Sequence, residues 1–169
     1  DNTEGDGNTA VGSASLSNNT IGNENTAIGA GSLLNSTVSG LTAVGYNSLS
    51  QNTSGLGNTA VGTSSLEMNT TGYSNTALGD TALKLNTTGY ANTAVGADAL
   101  DNNVSGARNT AVGRDALQEN ITGSYNTSVG DNALDALTNG SYNTAIGVDA
   151  LDESTTGNRN TSLGYYTLR

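Results

Sequence analysis

The chain has 169 residues, a formal net charge of −10 from 15 acidic and 5 basic side chains, and no Cys, Pro, Trp, Phe or His. The lack of Cys and His removes disulfide frameworks, thiolate metal sites and the commonest general base. The acidic balance argues against nucleic acid and anionic membranes as partners, and no apolar run reaches the ~18 residues of a membrane-spanning helix.

A short motif, Asn-Thr-Ala-Val-Gly in its commonest form, recurs ten times along the chain. Successive closing glycines are 17 residues apart, except for one step of 16. They are Gly12, Gly29, Gly45, Gly62, Gly79, Gly96, Gly113, Gly130, Gly147 and Gly164. The low hydrophobicity is also typical of disorder, but apolar side chains kept in register at this period predict a stacked coil.

The first predicted element of each repeat is a short strand. Thr-Ala-Val carries β-branched residues in alternation, and the recurring Gly interrupts any helix. The apolar position of this strand is assigned to the core, as at Val61, Val95, Val112 and Val129. The glycine that follows is expected to turn the backbone at positive φ, as at Gly62, Gly96, Gly113 and Gly130.

The second predicted element is another short strand, five residues further on, with a small residue before a leucine. Its leucines form the second core position, as at Leu66, Leu100, Leu117 and Leu134. An Asn-Thr-Thr-Gly-like segment then closes the repeat, and its first Asn suits a turn or a stacked amide ladder. These ladder positions include Asn52, Asn69, Asn86, Asn103 and Asn120.

The repeat between Leu33 and Thr42 is one residue short, and Leu41 replaces the usual Asn. Two interpretations stay open: a tolerated turn variant, or a local bulge or binding feature.

These elements predict an all-β parallel solenoid of about ten 17-residue rungs, forming one domain over residues 1–169 of a longer fibrous protein. Rungs about 4.8 Å apart would make a rod roughly 45–50 Å long. Two large apolar side chains per rung contribute roughly 3–6 kcal/mol, against roughly 17–34 kcal/mol of backbone entropy. The core of a single chain is therefore too small to offset this entropy, and we expect identical chains to associate and cover one face.

Several surface positions are candidates for recognition. Tyr73 and Tyr90 share one turn position, and Tyr125 and Tyr142 share the next, so stacked Tyr side chains could bind sugar or protein, or only pack the turns. An unbroken series of Thr residues, from Thr9 to Thr161, suggests ice binding as an alternative. Aligned Asp residues could bind a cation or act as an acid–base pair, with solvated turns as the simpler interpretation.

The repeats resemble the head repeats of trimeric autotransporter adhesins of the YadA-like type. The residues that carry the resemblance are Asn58-Thr59-Ala60-Val61-Gly62 through Ser65-Leu66, and Asn92 to Gly96 through Ala99-Leu100. Similar repeats occur in phage tail fibres and other surface fibres. The resemblance implies a left-handed parallel β-roll, a homotrimeric rod and a role in attachment, although the Asn-Thr-Thr-Gly turn is longer here than in those heads.

The sequence thus predicts a structural rod or head segment of an extracellular or cell-surface fibre or adhesin. The alternatives are an ice- or surface-binding solenoid and the shaft of a virion fibre. The expected partners are copies of the chain and a host surface protein or glycan, without nucleic acid or membrane insertion. No enzymatic activity, cofactor or metal is expected.

Overall fold

The computed structural model describes residues 2–168 and consists of one parallel sheet of ten three-residue strands in sequence order. The strands are β1 (Thr9–Val11), β2 (Thr26–Ile28), β3 (Thr42–Val44), β4 (Thr59–Val61), β5 (Thr76–Leu78), β6 (Thr93–Val95), β7 (Thr110–Val112), β8 (Thr127–Val129), β9 (Thr144–Ile146) and β10 (Thr161–Leu163). Each strand pairs with the same strand of the next repeat, so the predicted parallel β-solenoid is confirmed.

Register is kept by like residues lying on like residues. Thr59 pairs with Thr76, Ala60 with Ala77 and Val61 with Leu78. The short repeat keeps this alignment, because Thr26 pairs with Thr42. One residue fewer in the turn therefore leaves the sheet undisturbed.

The second predicted strand is wrong: the segment around each leucine is a turn. Leu66 and Leu100 have φ of 51° and 55°, a left-handed conformation that cannot continue an extended strand. The turns nevertheless stack, since the Leu66 amide donates to the Ala82 carbonyl over 3.0 Å. Hydrogen bonds between rungs thus extend well beyond the three-residue strands.

The core contains leucine and small residues. Leu66, Leu100, Leu117 and Leu134 are fully buried, which confirms this half of the predicted core. They pack with central strand alanines, such as Ala94, and with the small residue before the Leu, such as Ala99.

The assignment of Val61, Val95, Val112 and Val129 to the core is wrong for this chain. All four are only partly buried and lie on the outer side of the sheet. Side chains alternate along a strand, so Thr and Val share one face while Ala takes the other. The interior of the coil is narrow, and opposite each Leu it holds Ala or Ser.

Asparagine completes the interior in two ladders. In the first ladder the Asn86 amide donates to Asn69 Oδ1 over 2.7 Å, and Asn103 donates to Asn86 Oδ1 over 2.7 Å. The predicted amide ladder at this position is therefore confirmed. In the second ladder the Asn92 backbone amide donates to Asn75 Oδ1 over 3.0 Å, and the Asn75 side chain donates to the Gly89 carbonyl.

Leucine interrupts each ladder once. Leu137 stands where the first ladder needs an Asn, and the Oδ1 atom of Asn120 consequently has no donor. Leu41 stands in the second ladder within the short repeat, where it is buried and its backbone amide still donates to Asn25 Oδ1 over 2.9 Å. The short repeat therefore differs from the others inside the coil, where Leu41 replaces an Asn of the second ladder.

The glycine after each strand turns the backbone as predicted. Gly62, Gly96, Gly113 and Gly130 have φ between 137° and 141°. A Cβ atom on Gly96 would fall inside the contact distance of the Gly113 carbonyl oxygen. Both the conformation and the close rung-to-rung approach therefore require glycine.

Candidate functional site

The outer side of the sheet forms one uncharged surface, here called the Thr–aliphatic face. It consists of the first and third residues of every strand: Thr9, Thr26, Thr42, Thr59, Thr76, Thr93, Thr110, Thr127, Thr144 and Thr161, with Val11, Ile28, Val44, Val61, Leu78, Val95, Val112, Val129, Ile146 and Leu163. No strand contributes a charged side chain to it. The face is a double row of hydroxyl and aliphatic groups.

Much of this face is accessible in the single chain. Leu78 is 48% exposed and Ile146 is 41% exposed, although neither lies on an edge strand of the sheet. Five of its ten aliphatic side chains are exposed: Val11, Ile28, Leu78, Ile146 and Leu163. Grouped on one surface, they are candidates for an interaction site. The sequence interpretation placed these side chains inside, so this surface was missed.

A second surface follows the corner that precedes the strands, and is here called the Tyr–Arg strip. It contains six planar side chains: Tyr73, Tyr90, Arg108, Tyr125, Tyr142 and Arg159. The four Tyr residues were predicted, and the structure brings them into one row. The two arginines were not predicted to belong to it.

The strip is a continuous stack. The rings of Tyr73 and Tyr90 are parallel with centroids 4.9 Å apart, and those of Tyr125 and Tyr142 are 5.0 Å apart. The Arg108 guanidinium lies 5.6 Å from the Tyr90 ring and 5.3 Å from the Tyr125 ring, so it joins the two pairs. Arg159 caps the end, 5.9 Å from the Tyr142 ring.

The backbone beneath the strip holds these side chains in position. Arg108, Tyr125, Tyr142 and Arg159 all have φ between 57° and 63°, and each amide donates to the preceding rung. Arg108 Nη1 also donates a hydrogen bond to the Tyr125 hydroxyl. This bond and the neighbouring phenols raise the pKa of Arg108 above its ordinary value, so its guanidinium stays charged.

Stacking decides which parts of the strip a ligand can reach. The tyrosine faces within each pair cover each other, and Arg108 lies between the pairs. Ring edges, hydroxyl groups and guanidinium N–H groups therefore point outward. The strip is suited to polar contacts along a line, whereas stacking of a sugar on an open ring face within a pair is excluded.

Acidic side chains lie beyond the other end of the strands from the Tyr–Arg strip, after the turning glycine. Asp98 and Asp115 occupy equivalent positions on successive rungs, and Arg114 forms a bidentate pair with Asp131 at 2.9 Å. The pKa of Asp131 is lowered, mainly by this bond. Over residues 2–168, no group of three or more His, Cys, Asp or Glu side chains is arranged to hold a metal ion.

A second acidic position follows the leucine. Burial, together with nearby negative charges, raises the pKa of the Asp135 carboxyl to about 6. These charges are on Asp115, Glu119 and Asp152. One oxygen of Asp135 is buried without a hydrogen-bond donor. This carboxyl is a source of pH-dependent stability.

The fold and its two surfaces define a β-solenoid repeat protein. Comparison with known proteins gives no match to a family model, to a curated protein or to a solved structure. In the described part of the chain, there is no helix with the length and apolar character needed to cross a membrane.

Proposed function

We propose that this chain is a structural rod or head segment of an extracellular fibre or adhesin, assembled as a homotrimer and attaching through multivalent contacts. The observation that carries the proposal is the Thr–aliphatic face, which is uncharged over all ten strands of a chain with net charge −10. Such a face is suited to cover by an identical neighbour, because the same rungs repeat at the same spacing.

Burial of this face would supply what the core lacks. Each aliphatic side chain of the face is partly exposed, and removing the rest of it from water contributes about 1 kcal/mol. Ten rungs make that contribution additive along the rod. The resemblance to trimeric adhesin heads supports three chains as the number that closes the assembly.

The mechanism proposed for attachment is mechanical and multivalent. Each rung is hydrogen bonded to the next through strand, turn and Asn ladders, which makes a stiff support. A stiff rod presents its surface positions at fixed intervals, so weak contacts act together and avidity exceeds the affinity of one contact. A virion fibre shaft would use the same mechanics.

The oligomeric state tests the assembly. We expect multi-angle light scattering to give three times the chain mass for the unaltered protein, and the monomer mass for the double variant Val95→Asp/Val112→Asp. The double variant Val104→Asp/Ile121→Asp is the matched control, since Val104 is 38% exposed and Ile121 is 42% exposed on another side of the coil. A monomeric unaltered protein would contradict the proposal, as would equal effects of the two sets of changes.

Ice binding is the second candidate, and one observation favours it. The ten Thr side chains of the Thr–aliphatic face lie on the outer side of a regular parallel sheet, spaced by the distance between rungs. Ice binding and trimer formation would use the same face and therefore exclude each other. Thermal hysteresis and ice shaping by a monomeric protein would support ice binding and overturn the trimer.

A further inference from the structure

The Tyr–Arg strip has a charge that differs from the rest of the molecule. The chain carries 15 acidic side chains and 5 basic ones, yet two of its arginines lie in this strip. Among residues 2–168, the salt bridges formed by arginine are those of Arg114 with Asp115 and Asp131. Arg108 and Arg159 are thus exposed cations with no carboxylate within salt-bridge distance in that range.

The donors of the two guanidinium groups remain largely available. Of the five N–H groups of Arg108, the side-chain hydrogen bond described above uses one, at Nη1. Stacking on tyrosine orients the guanidinium plane, and a fixed plane is the geometry that binds an oxyanion through two parallel hydrogen bonds. The adjacent Tyr hydroxyls can donate to and accept from neutral hydroxyl groups. The strip therefore offers sites for anionic groups at its two arginines and sites for hydroxyl groups at its tyrosines.

The spacing of these sites indicates a linear ligand. Arg108 and Arg159 are three rungs apart, which is about 14 Å at the parallel-strand spacing. The whole strip spans five steps, or about 24 Å, and is one side chain wide. An extended peptide presents side chains on one face about every 6.6 Å, which does not match the rung spacing of about 4.8 Å, whereas one pyranose unit of an extended glycan is close to one rung in length.

We propose that the Tyr–Arg strip binds an extended acidic polysaccharide that lies along the rod axis. Carboxylate or sulfate groups of the glycan pair with Arg108 and Arg159, and its hydroxyl groups bond with the tyrosine hydroxyls. The aspartates after the turning glycines lie on the other side of the strand, and screening at physiological salt limits their repulsion to about 8 Å. The inference rests on the attachment role proposed above and names the class of ligand.

The test uses the assembled protein and a fluorescently labelled oligogalacturonate, with its methyl-esterified form as the neutral analogue. We expect fluorescence anisotropy to show binding of the acidic oligomer, and at least tenfold weaker binding of the ester. Arg108→Gln should weaken binding about tenfold, since it removes a charge-assisted contact. Tyr125→Phe keeps the stacked ring and removes one hydroxyl, so about a threefold loss is expected.

Arg114→Gln is the matched control, because it removes the same charge from the opposite side of the strand. It should change binding less than twofold, and circular dichroism should show all three variants folded.

Equal losses for Arg108→Gln and Arg114→Gln would overturn the proposal, as would undetectable binding by the unaltered protein. Displacement by polyglutamate as effective as by unlabelled oligogalacturonate would overturn the glycan assignment. A sulfated oligomer that binds tenfold tighter would support the proposal and identify sulfate as the preferred group. A trimer that fails to bind would refute this inference alone and leave the assembly proposal standing.

Discussion

The first Asn ladder makes a sharp prediction, because one isosteric substitution changes its hydrogen bonding and charge and keeps its volume. Asn86 is fully buried, and its amide nitrogen donates to Asn69 Oδ1 over 2.7 Å and to the Gly89 carbonyl over 3.1 Å. Asn86→Asp keeps the volume and removes both donors. At neutral pH the new carboxylate oxygen faces the Asn69 oxygen, and two acceptors then meet without a proton between them.

The expected cost follows from these contacts. Two lost hydrogen bonds account for about 2 kcal/mol, and an unsatisfied buried acceptor adds about 1–3 kcal/mol, so the free energy of unfolding should fall by about 3–5 kcal/mol at pH 7. Burial raises the pKa of the new carboxyl. Once protonated it donates one hydrogen bond, so stability should recover as the pH falls through this raised pKa.

Urea denaturation followed by circular dichroism, at pH 7 and at pH 4.5, measures this effect. Asn139→Asp is the matched control: Asn139 is exposed, and its Oδ1 accepts from the Thr122 hydroxyl over 2.8 Å, which a carboxylate also does. The two variants have the same net charge, so other pH effects cancel between them. If Asn86→Asp were as stable as Asn139→Asp at pH 7, or its deficit did not shrink at pH 4.5, the ladder argument would be refuted.

Three further predictions concern the rungs. Gly96→Ala should lower the unfolding free energy by at least ~3 kcal/mol in urea denaturation, because the φ of Gly96 is 138° and the Gly113 oxygen is too close for a Cβ. Gly40→Ala is the control: Gly40 has open space around it, so this change should cost about 1 kcal/mol. Leu117→Ala should cost about 2–5 kcal/mol by the same measurement, and a smaller cost than that of the exposed change Leu85→Ala would contradict the core assignment. Since the pKa of Asp135 is raised to about 6, the free energy of unfolding should fall as pH rises from about 4 to about 6, by about 1 kcal/mol after allowance for solvent screening. Asp135→Asn should flatten this part of the pH profile. An unchanged profile would count against the assignment of this pH dependence to Asp135.

The repeat period was sufficient to predict the stacking, because a fixed interval places equivalent residues on adjacent rungs. The leucine position and the first Asn ladder followed from the same reasoning. The side of the sheet that faces inward did not follow from the apolar residues. The relevant signal was the central strand residue, which is always Ala or Ser, as at Ala94 and Ser128. Only a narrow interior requires a small residue at every rung.

Other features had weaker signals in the sequence. The left-handed conformation of Leu66 could not be predicted, since leucine has no preference for it. The position two residues after the turning glycine gave a clearer signal, because Asp98 and Asn132 belong to the types that tolerate positive φ. The Tyr–Arg strip was predicted only in part, as Tyr90 and Arg108 occupy different positions in their repeats. Their contact depends on how far the side chains reach across one rung.

The distribution of polar and apolar groups explains why fold and function use different residues. Asparagine ladders lie inside, where every amide must meet the next rung, while aliphatic side chains lie on the outer side of the sheet. An Asn satisfied by its neighbours enforces register but recognises nothing outside the chain. The Thr–aliphatic face is uncharged and is not needed for the core, so it is available for the assembly proposed above. The corner turns tolerate sequence variation, and there the Tyr–Arg strip concentrates charge and aromatic groups without disturbing the ladders.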